Sequence, residues 1–281
     1  MNIELFVQTR KRLGYSQEEL CEGICTQATL SKFEKSGKAP AIRILTKLCS
    51  RLGLTLDDIF PIVPPAQSEA IRVLDKAEFK LITSEFATAE EELKTIELSD
   101  LPTDGKMQYH FIQGFLAALQ DKPLSDSLFS FDQILNDLDD AHKTIYSQLA
   151  FTGIGTAYFR NGDLDKSEFY FQKVFDELHS LPLNGEKAVW RAMAMIFYTA
   201  DYFAHAGDFE TSDSLLVYGY EVCANNHVTY YLARSLFRQA QNAREEKKPA
   251  TEITDYLNDA KAFAKLNKNQ KLLKRIAEFK I

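Results

Sequence analysis

Apolar residues recur at three- and four-residue intervals through the chain, the spacing of helices that bury one face. In the first sixty residues this rhythm is cut into five short pieces. Leu5, Phe6 and Leu13 form the inward face of a first helix over residues 1–13, which Gly14 ends. Ser16 and Glu19 then have the spacing of a capping box, and Leu20 and Ile24 supply the apolar face of a second helix. Thr26 caps a third, with Leu30 and Phe33 inward. Ile44, Leu45, Leu48 and Leu52 predict a fourth that Gly53 stops, and Thr55 caps a short fifth, LDDIF. Pro61 to Gln67, PIVPPAQ, holds three of the eight prolines and breaks the rhythm, so a linker over 61–67 is expected between domains at 1–60 and 68–281.

From Ser68 onward no convincing strand is found, and the helical pattern repeats. Phe151, Gly155, Tyr158, Gly162, Ser167, Phe171 and Val174 fall at tetratricopeptide spacings, where small residues let two helices approach and large ones fill the gap between them. Ile196, Ala200, Phe203, Gly207, Ser212 and Leu216 repeat the set 45 residues later, and FSFDQILNDL mirrors FYFQKVFDEL at a shift of 40. Weaker copies fit around Leu93 and Leu257. The expectation is an all-α chain: a five-helix domain, then a tetratricopeptide-like superhelix of about five helix pairs and a closing helix near residues 266–279. An ordinary helical bundle is the alternative.

On the third helix the outward residues are Gln27, Ala28, Thr29, Ser31 and Lys32. Gln pairs bidentately with adenine, Ala and the Thr methyl touch a thymine methyl, and Lys reaches guanine or phosphate, so this set suits a helix that reads bases. Gln17, at the positive end of the second helix, is placed for a phosphate. The net charge of −7 argues against nucleic acid until it is divided. Residues 1–60 hold nine Lys or Arg against seven Asp or Glu, a net +2, which leaves −9 for the remainder. Arg10, Lys35 and Lys38 are among the basic residues gathered around the proposed reading helix, as phosphate contact requires. So modest a charge predicts weak binding by one copy, and hence two copies on a two-fold site.

SQEEL, the LSKFE run and the Gly after it resemble the repressor-type helix-turn-helix of phage repressors and Cro. The short turn, with Cys25 running straight into Thr26, resembles that of PlcR-like regulators. Ala41 departs from the pattern, because a Ser or Thr cap is expected where the fourth helix begins.

Composition narrows the function further. No apolar run approaches the roughly 18 residues that span a membrane, and the first residues lack the shape of a signal peptide, so a cytoplasmic protein is expected. Cys21, Cys25, Cys49 and Cys223 form no CxxC pair and no zinc spacing, which predicts reduced thiols, with the role of Cys223 left open. The five histidines are scattered, and HExxH, GxSxG and a phosphate-cradling glycine loop are all missing. No enzyme, cofactor or metal site is expected.

A concave repeat face is instead a groove for an extended peptide. Counted from the repeat register, its inward positions are Thr152, Thr156 and Phe159, then Phe197, Asp201 and His205, then Arg238 and Asn242. Each of these has a competing role in the core or in local pairing. Taken whole, the chain resembles the PlcR-like and Rgg-like peptide-pheromone-responsive transcriptional regulators of Gram-positive bacteria. That resemblance implies a cytoplasmic homodimer on a two-fold operator in double-stranded DNA, controlled by a short signalling peptide in the groove. It also implies asparagine clamps on the inner helices, and Thr156 and Tyr198 stand at two places where Asn is expected. Two other readings stay open: a regulator whose repeats only dimerise it, and a module whose repeats grip a partner protein.

Overall fold

The computed structural model describes residues 2–60, 65–181, 183 and 185–281, and every regular element among them is helical. The chain divides into two compact units, Met1–Ser68 and Glu69–Ile281. The proposed 61–67 linker falls partly on residues 61–64, outside the described residues. Its last three residues belong to a helix that opens at Pro65. Proline is tolerated at that position because an N–H in the first turn has no intrahelical partner anyway.

The first unit is built of α1 (Ile3–Arg12), α2 (Gln17–Cys21), α3 (Gln27–Ser36), α4 (Ile42–Arg51) and α5 (Leu56–Ile59). Phe6, Leu20, Leu30, Phe33, Leu45, Leu48 and Ile59 make one core, with the rings of Phe6 and Phe33 edge to face at 5.2 Å. Leu13 is a correction. It sits just past the end of α1 and is exposed, so the inward face of that helix closes on Phe6. The capping boxes at Ser16 and Thr55 are both formed, whereas Ala41 begins α4 with no side-chain cap.

The second unit contains α6 (Pro65–Ile82) from Glu69 onward, α7 (Phe86–Leu93), α8 (Thr103–Leu119), α9 (Leu124–Asp132), α10 (Ile145–Arg160), α11 (Leu164–Phe175), α12 (Glu186–His205), α13 (Phe209–Asn226), α14 (Leu232–Glu245), α15 (Ala250–Leu266) and α16 (Gln270–Glu278). α8 packs on α9, α10 on α11, α12 on α13 and α14 on α15, and the first helices of these pairs neighbour one another in order. They form an inner layer. α16 closes the stack against α14 and α15.

Small residues bring each pair together. A Cβ on Gly155 would lie 3.1 Å from the Phe171 ring, and one on Gly114 would lie 2.6 Å from Phe131. A serine on the second helix then donates to the carbonyl of that glycine, Ser167 to Gly155 at 3.0 Å and Ser127 to Gly114 at 3.1 Å. Gly162 and Gly207 turn the chain at equivalent places with φ of +83° and +85°, a backbone that side-chain-bearing residues rarely adopt. The mirrored run at 129–138 differs from its partner. After α9 the chain widens into a π-helix over Gln133–Leu138, ended where Asp139 takes up the Lys143 and Thr144 N–H groups and the Thr144 and Ser147 hydroxyls.

α6 lies against the N-terminal halves of α8 and α12. Arg191 grips Glu78 through two hydrogen bonds of 2.8 and 2.7 Å, and Gln108 donates to the same carboxylate at 2.7 Å. Phe79 packs on Trp190 and Tyr230. The C-terminal halves of the inner helices border an open cavity instead.

Candidate functional sites

On α3, Leu30 and Phe33 are fully buried and the opposite face is free. Gln27, Ala28 and Lys32 are exposed, and Thr29 and Ser31 half-buried, so the five proposed base-reading side chains share one outward surface. Thr26 holds the start of the helix by accepting from the Thr29 N–H, and Gly37 ends it in the left-handed region. Lys35, in its last turn, and Lys38, just past its end, are exposed.

Two of the proposed phosphate contacts are placed differently. Arg10 is buried: its Nε and Nη2 donate to Glu34 at 2.7 and 3.0 Å, and its Nη1 donates to the Tyr15 carbonyl at 2.7 Å. Gln17 is half-buried and its amide donates to the same Glu34 at 2.7 Å. An arginine in a closed, desolvated pair is not free for a phosphate, and Arg10 instead locks α1 onto α3, while Gln17, still partly exposed, ties α2 to the same carboxylate. A second lock comes from α4, where Arg51 donates to the Leu20 and Glu22 carbonyls at 3.0 and 2.7 Å at the C-terminal end of α2.

In the second unit a cavity of about 420 Å³ opens between the C-terminal halves of α8, α10 and α12, the stretch of α14 from Arg234 to Gln241, the start of α7, and α16. Phe159, Phe197, Tyr198, Asp201, His205 and Arg238 line it, six of the nine positions expected in the groove. The Phe159 and His205 rings meet at 5.0 Å, His205 Nδ1 lies 2.7 Å from the Asp201 carbonyl, and Arg238 pairs with the Asp201 carboxylate. A second, nearly closed space of about 10 Å³ lies between α6 and Tyr198, room for at most about one water.

The other three positions are corrections. Thr152 and Thr156 are buried with their hydroxyls turned back onto the carbonyls of Gln148 and Thr152, which satisfies them inside α10. Asn242 is buried too. Its amide donates to Ser212 at 3.0 Å and to Asp213 at 2.7 Å, tying α14 to α13 behind the groove.

Residues 8–59 match the helix-turn-helix family model. No curated protein sequence matches the chain. Among solved structures, PlcR of Bacillus thuringiensis in complex with the peptide PapR7 and DNA aligns with a TM-score of 0.73 at 14% identity, over 99% of both chains. ComR of S. thermophilus in complex with DNA and its signalling peptide ComS aligns at 0.62 and 16% identity, covering 97% of this chain and 96% of that one. The competence regulator ComR of Streptococcus vestibularis, bound to its cognate peptide XIP, aligns at 0.53 and 15% identity over 98% and 95%. The chain has the PlcR fold, with a helix-turn-helix domain at its N-terminal end.

Within this PlcR fold, the cavity holds residues that the repeat register did not select. Arg160, Arg234, Lys271 and Arg275 line it together with Arg238. Arg234 lies one turn before Arg238 on α14, an i, i+4 pair that would have signalled it. Lys271 and Arg275 stand on the closing helix, whose position over the groove no local pattern shows. Burial, and the Arg238 and Arg234 charges beside it, hold the Arg275 guanidinium below its ordinary range against the opposing pull of Asp201.

All four cysteines are free thiols. Burial pushes the Cys223 thiol up to about 12, which leaves it almost wholly protonated and unsuited to redox sensing. Among the described residues no cluster of His, Cys, Asp or Glu is arranged for a metal, and no helix is long and apolar enough to cross a membrane.

Proposed function

We propose that this chain is a cytoplasmic, homodimeric, sequence-specific DNA-binding transcription regulator whose activity is set by a small peptide in the repeat-domain cavity. The reading face is Gln27, Ala28, Thr29, Ser31 and Lys32, with Lys35 and Lys38 on the phosphates. PlcR and ComR, which share the fold, are each described in complex with DNA and a peptide. The observation that carries peptide control is the cavity itself. Repeats that served only to dimerise the chain would fill their inner face with self-packed aromatics, whereas here about 420 Å³ stays open between Phe159, Phe197 and Phe237.

A peptide acts by fitting one dimer geometry better than another. A bias of about 1–3 kcal/mol changes operator affinity roughly 5- to 150-fold. The test uses operator DNA selected by the purified protein from a random duplex pool. Its affinity is then measured with and without the small-peptide fraction of the culture medium. A peptide-dependent shift is expected. Specific binding indifferent to that fraction would favour a ligand-free regulator, and failure to select any sequence at low salt would overturn the regulator reading.

A further inference from the structure

We propose that the groove selects its peptide by a carboxylate, which the ligand presents to Arg234, Arg238 and Arg275. The inference rests on the peptide reading above and names the chemistry of its ligand.

Five cationic side chains, Arg160, Arg234, Arg238, Lys271 and Arg275, line the cavity against the single carboxylate of Asp201. This excess sits in the part of the chain that carries a net −9, so it is a local concentration of charge set against the surrounding field. Two of the five have carboxylate partners, Arg160 with Asp121 and Arg238 with Asp201. Among the described residues the other three have none. Arg234 donates only to the neutral oxygens of Ile82 and Ser84, and Lys271 reaches only the Ser84 carbonyl at 3.5 Å. Arg275 lies over the Phe237 ring at 5.3 Å. Arg238 keeps a buried Nε that meets no acceptor.

Three guanidinium groups gathered in one partly desolvated cavity repel one another: burial first, and then the charges of Arg238 and Arg234, disfavour the charged form of Arg275. A bound carboxylate relieves the repulsion and accepts from the planar donor forks. The aromatic walls meanwhile take apolar side chains, so the ligand that fits is apolar along its length with one negative charge. That charge comes either from the C-terminal carboxylate of the peptide or from an Asp or Glu side chain.

The experiment titrates the purified full-length protein with three synthetic heptapeptide pools of degenerate apolar sequence, all with free N-termini. One pool ends in a carboxylate, one in an amide, and one in an amide with a single Glu. Binding is read by calorimetry. At least tenfold tighter binding of the acid-ended pool than of the amide pool assigns the terminal carboxylate, and the same preference for the Glu pool assigns a side chain. Arg275→Gln, which removes one of the three guanidinium groups, should erase that preference while leaving the circular dichroism spectrum unchanged. Lys271→Gln should reduce it less.

Equal binding of all three pools would overturn the anionic inference and leave peptide control standing. Inorganic phosphate that displaced the peptides at equal concentration would also overturn it, in favour of a general anion site. Binding of no pool would sink both readings.

Discussion

The two units treat buried charge in opposite ways. Around the reading helix every buried charge is closed inward: Glu34 receives Arg10 and Gln17, and the lysines that remain free point outward. In the repeat-domain cavity cations outnumber carboxylates, and three of them face only neutral oxygens or rings. The first arrangement fixes a shape and presents a surface. The second keeps a site incomplete until something negative enters it, and incompleteness of that kind marks a binding site more clearly than volume does.

Opening the closed region breaks the contrast most strongly. Glu34→Ala leaves Arg10 buried without its carboxylate, and a loss of about 3–5 kcal/mol is expected from the N-terminal unit, enough to abolish operator binding. Urea unfolding checks it. A loss below about 1 kcal/mol would mean that water already reaches the pair.

Asp139 is an intermediate case, a buried acid held by hydrogen bonds alone. Burial opposes its ionisation, but the bonds from Ser147, Thr144 and the Lys143 N–H outweigh that and hold its carboxyl below the ordinary range. Its contribution is therefore present above the unfolded value of about 3.9 and is lost as pH falls through the folded one. Asp139→Asn should cost roughly 1.5–3 kcal/mol at neutral pH and flatten the acid limb of a stability-against-pH curve. An unchanged acid limb would assign that loss to other groups.

The open region should tolerate the matching change. Asp201→Asn removes the one carboxylate in the cavity but leaves Arg238 in reach of water, so stability should move by less than about 1 kcal/mol while affinity for a carboxylate-bearing peptide rises. A large loss of stability would make the ion pair structural and the cavity incidental. Smallest in stability is Gln27→Ala on the reading face. The melting temperature should hold while discrimination at one base pair falls by about 1–3 kcal/mol, roughly 5- to 150-fold, in a competition assay against single-base operator variants.

The same contrast explains what could be read from the chain. The N-terminal unit is written locally: caps at Ser16 and Thr26 and apolar steps at Leu20, Leu30 and Phe33 each depend on residues three or four positions away. Its charge pairs were harder, because Arg10 and Gln17 look like free surface until the fold brings Glu34, 24 and 17 residues distant, against them. In the repeat domain the close approach at Gly155 was legible from spacing, and so were six cavity positions. Thr152 and Thr156 were misplaced because only the last residues of α10, Phe159 and Arg160, reach the cavity, and Asn242 because Ser212 and Asp213, about 30 residues away in sequence, draw its amide onto α13. The cationic rim was missed because its members come from α10, α14 and α16, which meet only after the stack has closed.

Arg51 gives the reading helix a dependence that its own residues do not reveal. The C-terminal end of α2 is held from α4 by a guanidinium on the Leu20 and Glu22 carbonyls, so the point from which the chain turns into α3 is fixed from outside the motif. Two chains with identical residues from Ser16 to Gly37 but different fourth helices would offer the same letters at a different tilt. Operator preference then belongs to the whole five-helix unit, and transplanting the reading face alone would carry over its vocabulary without its pronunciation.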